Sequence, residues 1–151
     1  MSSSPGGEEE IRRLVATYQQ YQAQAEALAR QISLTQLTLE GLDRAMNAVE
    51  AMDTAEVGQE MLVPIGSGSF IHAKLASKEK IVLNVGAGVS IEKTAAEAKE
   101  ILAIRKAEVA EGSKKLNEVL SKIDLEMQRI QGAMEQFEAG QQQSLGSEGI
   151  V

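Results

Sequence analysis

Few residues of this sequence have the chemistry to catalyse or to ligate. His72 is the sole histidine, able in principle to move a proton or hold a metal. Gly66-Ser67-Gly68 and Gly86-Ala87-Gly88 have the small, polar-backbone character of phosphate-cradling loops. Carboxylates are plentiful, beginning with Glu8, Glu9 and Glu10. None of these combines into a reactive arrangement. There are no cysteines, so thiolate metal sites and disulfide staples are excluded. Strand alternation puts His72 on the face that carries Phe70 and Lys74, which reads as a structural or surface histidine. The glycine loops match neither the dinucleotide nor the Walker pattern and read as hairpin glycines that accept positive φ. The acidic residues spread along helix faces without a nucleophile–base pair. The expectation is a chain with no catalytic residue, no metal and no cofactor: not an enzyme.

The elements that carry these residues explain why. Aromatics are only 3% of the chain and tryptophan is absent, while Ala, Leu, Ile, Val and Met supply most of the apolar content. That mixture suits helix–helix seams. The first arm, residues 8–56, repeats apolar side chains with heptad spacing: Ile11, Tyr18, Ala25, Ile32, Leu39 and Met46 in one position, and Leu14, Tyr21, Leu28, Thr35, Leu42 and Val49 in the other. The three glutamates at its start complement the positive end of the helix dipole, and Gly58 is a stop signal. The second arm, residues 93–138, starts at the capping-box pattern Thr94-Ala95-Ala96-Glu97. Its seam reads Leu116, Leu120, Ile123, Met127, Ile130, Met134 and Phe137. Upstream the same frame continues through Ser113, Val109, Lys106, Leu102 and Lys99.

The arms match in length, on the order of 60–70 Å at the α-helical rise, and only a short segment separates them, so an antiparallel hairpin of helices is the economical geometry. The register that places Ile11 opposite Phe137 also pairs Leu14 with Met134, Tyr18 with Ile130, Leu28 with Leu120 and Ile32 with Leu116. It sets the one polar position of the first seam, Thr35, against Ser113. Further along, Leu42 faces Lys106 and Val49 faces Lys99, where lysine stems cover apolar surface. Leu34 and Leu37 lie off the seam, which implies that residues 34–42 meet more than one neighbour.

The middle segment, residues 60–92, holds two similar units, Met61–Ile65 with Phe70–Leu75 and Ile81–Val85 with Val89–Ile91, each turning at a Gly-x-Gly. These are two β-hairpins. Pro64 marks an edge or a bulge. Isolated hairpins are marginally stable and leave open edges, so the segment requires a partner and predicts obligate oligomerisation. The flanks, residues 1–7 and 139–151, read as disordered ends.

Charge and hydropathy remove further classes. A net charge of −7 repels nucleic-acid phosphates. No apolar run approaches a membrane span, and MSSSPGGEEE lacks the basic and apolar regions of a signal peptide, so a cytoplasmic location is expected. One surface stands out. Ile11, Leu14, Val15 and Tyr18 lie near the start of the first arm, and Ile130, Met134 and Phe137 belong beside them. Such an end has no third layer to cover its flanks, and adaptable methionine and aromatic side chains there can bind varied apolar partners.

The heptad arm followed by MLVPIGSGSFIHAKL, IVLNVGAGVSIEKT and a second heptad arm resembles the archaeal prefoldin alpha subunits, over nearly the whole chain apart from its ends. The resemblance implies an α+β fold in which two β-hairpins are inserted between the helices of a long antiparallel coiled coil and close an oligomeric β-barrel. It implies a heterohexamer of two alpha and four beta subunits that holds unfolded client proteins at the coil tips without ATP and passes them to a group II chaperonin. On this chain the client-contact residues become Ile11, Leu14, Val15, Tyr18, Ile130, Met134 and Phe137. The assembly residues become Leu62, Val63, Ile65, Phe70, Ile71, Leu75, Ile81, Leu83, Val85, Val89 and Ile91. Two other readings compete. One is a structural coiled-coil adaptor for a single defined partner. The other is a nucleotide-exchange co-chaperone, which the matched arms flanking the β segment disfavour.

Overall fold

Two long helices bracket two short β-hairpins in a computed structural model that describes residues 5–148, with side chains described over 6–141. Helix α1 runs Pro5–Thr54, strands β1 Glu60–Gly66 and β2 Ser69–Lys74 form the first hairpin, β3 Ile81–Gly86 and β4 Val89–Lys93 the second, and α2 runs Ala95–Glu148. The chain folds as two units: residues 1–34 with 113–151, and residues 35–112.

The heptad reading survives position by position. Every seam residue named on α1 from Ile11 to Val49, and on α2 from Lys99 to Phe137, is buried or half-buried. Thr35 and Ser113 obey the same rule although they are polar. The side chains between seam positions are mostly exposed, as a coil with a single contact stripe requires. In the unit of residues 35–112 the antiparallel register is visible in ion pairs: the Lys99 ammonium lies 3.9 Å from Glu50 and 4.0 Å from Asp53, and Lys106 pairs with Asp43. Each lysine reaches acids that flank its expected opposite number, Val49 or Leu42. Rising numbers on one helix meet falling numbers on the other.

Helix ends follow local chemistry. The Thr94 hydroxyl accepts a hydrogen bond from the Glu97 amide at 3.2 Å, capping α2 as the sequence pattern predicts. The Glu97 carboxylate turns to Lys93, 3.6 Å away. α1 ends at Thr54, and Gly58 takes φ 90° while its amide donates to the Leu75 carbonyl at 2.7 Å. The expected disordered ends need correcting where they are described. α1 begins at Pro5, a residue whose fixed φ suits a first helical turn. α2 continues through Ala139 to Glu148, because glutamines extend a helix well and the two glycines, Gly140 and Gly146, cost only about 1 kcal/mol each. Residues 1–4 and 149–151 lie outside the described chain.

The hairpins share one design. Each ladder shifts by a residue just before the turn, between Pro64 and Gly66 in the first and between Asn84 and Gly86 in the second. Ile65 and Val85 are the extra residues. The loops, Ser67-Gly68 and Ala87-Gly88, have positive φ at both positions (51° and 72°, 52° and 75°). That is the geometry of a type I′ turn, whose twist matches the strands. Asn84 stabilises the second bulge, its Oδ1 accepting from the Gly86 amide at 2.8 Å. Pro64 therefore sits beside a bulge, where its missing N–H is tolerated.

A small core forms where the second hairpin lies on the helices. Val49, Leu83, Ala95, Ala98 and Leu102 are buried together, with Leu42, Met46, Ile81, Ile91 and Ile101 around them. Ala98 has no exposure at all. Two alanines on α2 present no bulk beyond Cβ, so the strand carrying Leu83 can approach the helix closely.

Candidate functional site

Two surfaces are left incomplete, one in each unit. The first consists of the hairpins. They form separate two-stranded sheets, so each hairpin keeps two unpaired edges within the chain. In the first hairpin, directly paired residues share a face. Leu62 with His72 and Pro64 with Phe70 make one face; Met61 with Ala73 and Val63 with Ile71 make the other. Leu62 is 59% exposed and Phe70 58%, whereas Met61, Val63 and Ala73 are half-buried. In the second hairpin Leu83 and Ile91 face the helical core and Val82 faces out, 62% exposed. Exposed apolar side chains continue through the bulge residues Ile65 and Val85 and the strand start Val89.

This divides the expected assembly residues. Leu62, Ile65, Phe70, Ile71, Val85 and Val89 are exposed and free to meet another chain, and Val63 is half-buried. Leu83 is not: it is 8% exposed and belongs to the intramolecular core, as Ile81 and Ile91 partly do. Leu75 is likewise 8% exposed. The correction has a simple cause. The Ile81–Val85 run carries apolar residues on both faces, Ile81 and Leu83 on one and Val82 beside Asn84 on the other, and the face that meets Val49, Ala98 and Leu102 is covered by the chain itself. Val82, on the other face, belongs with the accessible residues. The sequence signal for it was present, since it alternates with Leu83. His72 is exposed on the face with Phe70, as alternation implied.

The second surface is in the unit formed by residues 1–34 and 113–151, at the end where α1 starts. Ile11, Leu14, Tyr18, Met134 and Phe137 are half-buried there, and Val15 is 40% exposed. Ile11 and Phe137 line one open cleft of about 360 Å³ with Glu8, Arg12, Glu138 and Gln141. Their meeting fits the register drawn from the heptads. Ile130 departs from expectation: at 5% exposure it is a seam residue closed off from solvent, because it lies far enough from the helix ends to be covered on both sides. At that burial it presents little surface of its own.

Among the described residues no helix is long and apolar enough to cross a membrane. The hairpins leave apolar side chains beside open strand edges, and the coil end leaves half-covered apolar side chains.

Comparison with known proteins decides the family. The prefoldin subunit family model matches residues 21–139. The chain belongs to the prefoldin family. It is 55% identical to the prefoldin subunit alpha of Methanothrix thermoacetophila over 118 residues, 78% of this chain and 77% of that one. It is 37% identical to the prefoldin subunit alpha of Methanosarcina mazei over 88% of this chain and 96% of that one, and 35% identical to that of Methanococcoides burtonii over 87% and 95%. A cryo-EM structure of filamentous PFD from Methanocaldococcus jannaschii shares the fold, with a TM-score of 0.66 at 21% identity, covering 78% of this chain and 97% of that one. The prefoldin fold accounts for the two long helices with hairpins between them, and the role that follows is that of a prefoldin chaperone subunit, assembled with other prefoldin subunits.

Proposed function

We propose that this chain is the alpha-type subunit of a cytoplasmic, ATP-independent holding chaperone, which captures unfolded proteins at the terminal end of its coil and hands them to a group II chaperonin. The observation that carries the proposal is the half-covered apolar group of Ile11, Leu14, Val15, Tyr18, Met134 and Phe137 at one coil end. A two-helix coil has no further layer to bury these side chains, so they offer apolar contact without a preformed, shape-selective pocket. Met134 and the two aromatics, Tyr18 and Phe137, adapt to irregular partners. Capture of this kind needs no nucleotide, because burial of apolar surface supplies the binding free energy.

The hairpins would provide the assembly platform. Exposed Leu62, Phe70, Val82 and Val89, together with open strand edges, suit pairing with hairpins of other subunits into a closed β-barrel. Two alpha and four beta subunits would complete it.

The test is aggregation of several unrelated, chemically denatured proteins in the presence of the assembled complex. Suppression of all of them is expected, and replacing Met134 and Phe137 by serine should weaken it while leaving the oligomer's mass unchanged. Protection of only one substrate would favour an adaptor with a single defined partner. No protection of any would sink the proposal.

A further inference from the structure

The two edges of the first hairpin are not equivalent, and the hydrogen-bond pattern says which residues each one offers. The ladder runs on past the strand ends, where the Leu75 amide donates to the Gln59 carbonyl at 3.0 Å. Gln59 and Leu75 continue the register in which Glu60 faces Lys74. In an antiparallel pair, bonded residues alternate with residues whose N–H and C=O groups turn away from each other. Met61 with Ala73 and Val63 with Ile71 therefore bond within the hairpin. Glu60, Leu62 and Pro64 on β1, and Phe70, His72 and Lys74 on β2, turn their backbone groups to the outside.

Pro64 breaks the β1 edge. It has no N–H to donate, and its ring carbon Cδ stands where the hydrogen of another residue would meet a neighbouring strand. The bulge at Ile65 follows at once and bends the strand there. The β2 edge has no such break: Phe70, His72 and Lys74 each turn outward both a donor and an acceptor. The side chains agree. Phe70, Ile71 and His72 are exposed in succession, so both faces beside β2 are open, whereas on β1 exposed Leu62 lies between half-buried Met61 and Val63. In the second hairpin the position matching Pro64 is Asn84, which keeps its N–H. No other strand of the chain pairs with either edge of the first hairpin.

Resting on the platform reading above, we propose that β2 is the edge of the first hairpin on which a strand of another prefoldin subunit pairs, with its bonds centred on His72, and that β1 is the blocked edge. A neighbour on the β1 side is then held by side-chain packing around Leu62 and not by a continuous ladder. An edge closed by proline is also a guard against pairing in the wrong order.

Residue-resolved hydrogen exchange on the full-length chain, alone and in its native assembly, tests this without altering the protein. Assembly should slow the His72 amide by at least about a hundredfold, and the Leu62 amide by less than about tenfold. Proline substitution gives a second readout. His72→Pro removes an outward donor but no bond of the hairpin itself, and should weaken assembly by about ten- to a hundredfold, the effect of one interstrand bond left unmade. His72→Val, which keeps the donor, should assemble as the parent does. Leu62→Pro should assemble as well as Leu62→Val. Protection of the Val63 and Ile71 amides in each variant confirms that its hairpin is intact. Equal protection of Leu62 and His72, or Leu62→Pro as damaging as His72→Pro, overturns the choice of edge while leaving the hairpins as the platform. If assembly protects neither amide and neither proline weakens it, the platform reading itself fails.

Discussion

Replacing Leu83 by alanine tests the division of the second hairpin into an inner and an outer face. Leu83 is 8% exposed and packs among Val49, Ala95, Ala98 and Leu102. The substitution deletes three carbons, a transfer loss of about 2.4 kcal/mol at ~0.8 kcal/mol per group. A cavity term adds to it, because Ala95 and Ala98 lie on a regular helix and cannot lean into the space, although Met46 can relax partway. A total of about 3 kcal/mol is expected, inside the usual range for buried leucines. Urea unfolding followed by far-UV circular dichroism reads it directly. With a slope of roughly 2 kcal/mol per molar, the midpoint should fall by about 1.5 M. Assembly also stabilises the chain in a concentration-dependent way, so the titration is run at two protein concentrations. The Leu83→Ala loss should be the same at both. Val82→Ala, one residue away but 62% exposed, should cost no more than about 0.5 kcal/mol at the lower concentration and reduce the concentration-dependent part instead. If Leu83→Ala costs less than about 0.5 kcal/mol, or Val82→Ala costs as much as Leu83→Ala, the assignment of faces is wrong.

Other consequences are equally direct. Ala87 holds φ 52° in the second hairpin loop, a conformation costing an alanine roughly 1 kcal/mol, whereas the Asn-Gly pair favours this turn. Ala87→Asn should therefore raise stability by about 0.5–1 kcal/mol in the same urea assay, and a lower midpoint would contradict the turn type. The Lys106–Asp43 pair is half-exposed, so a double-mutant cycle with alanine at each position should give a coupling under about 1 kcal/mol that fades in high salt. A salt-insensitive coupling above about 2 kcal/mol would mean that the pair is desolvated, as by a neighbouring subunit. At the terminal end, the paired replacement of Met134 and Phe137 by serine should reduce client protection without loss of helix content by circular dichroism. Unaltered protection would place capture elsewhere.

The sequence alone determined the coil seam. Its heptads name buried or half-buried positions on both helices, including the polar Thr35 and Ser113, because a helix that meets one neighbour covers a stripe whose period is a property of the backbone. It also determined the existence of two hairpins and the cap at Thr94, both set by local chemistry. It did not reveal the bulges at Ile65 and Val85, since a ladder shift depends on how two strands settle against each other. Nor did it locate the end of α2, because Gly140, Gly146 and the mostly polar residues between them read as a disordered tail, whereas the helix runs on to Glu148. Most of all, it did not show which face of each strand is covered. In Ile81–Val85 one face carries Ile81, Leu83 and Val85 and the other Val82 with Asn84, so apolar residues lie on both and alternation does not say what covers either. The packing of Leu83 onto Ala95, Ala98 and Val49 shows that the chain itself covers the first, turning Val82 outward and leaving it available for assembly. The same holds at the coil end, where the heptads treat Ile130 and Phe137 alike. The structure separates them by how much of the partner helix covers each: Ile130 is sealed in the seam, and Phe137 opens onto the cleft.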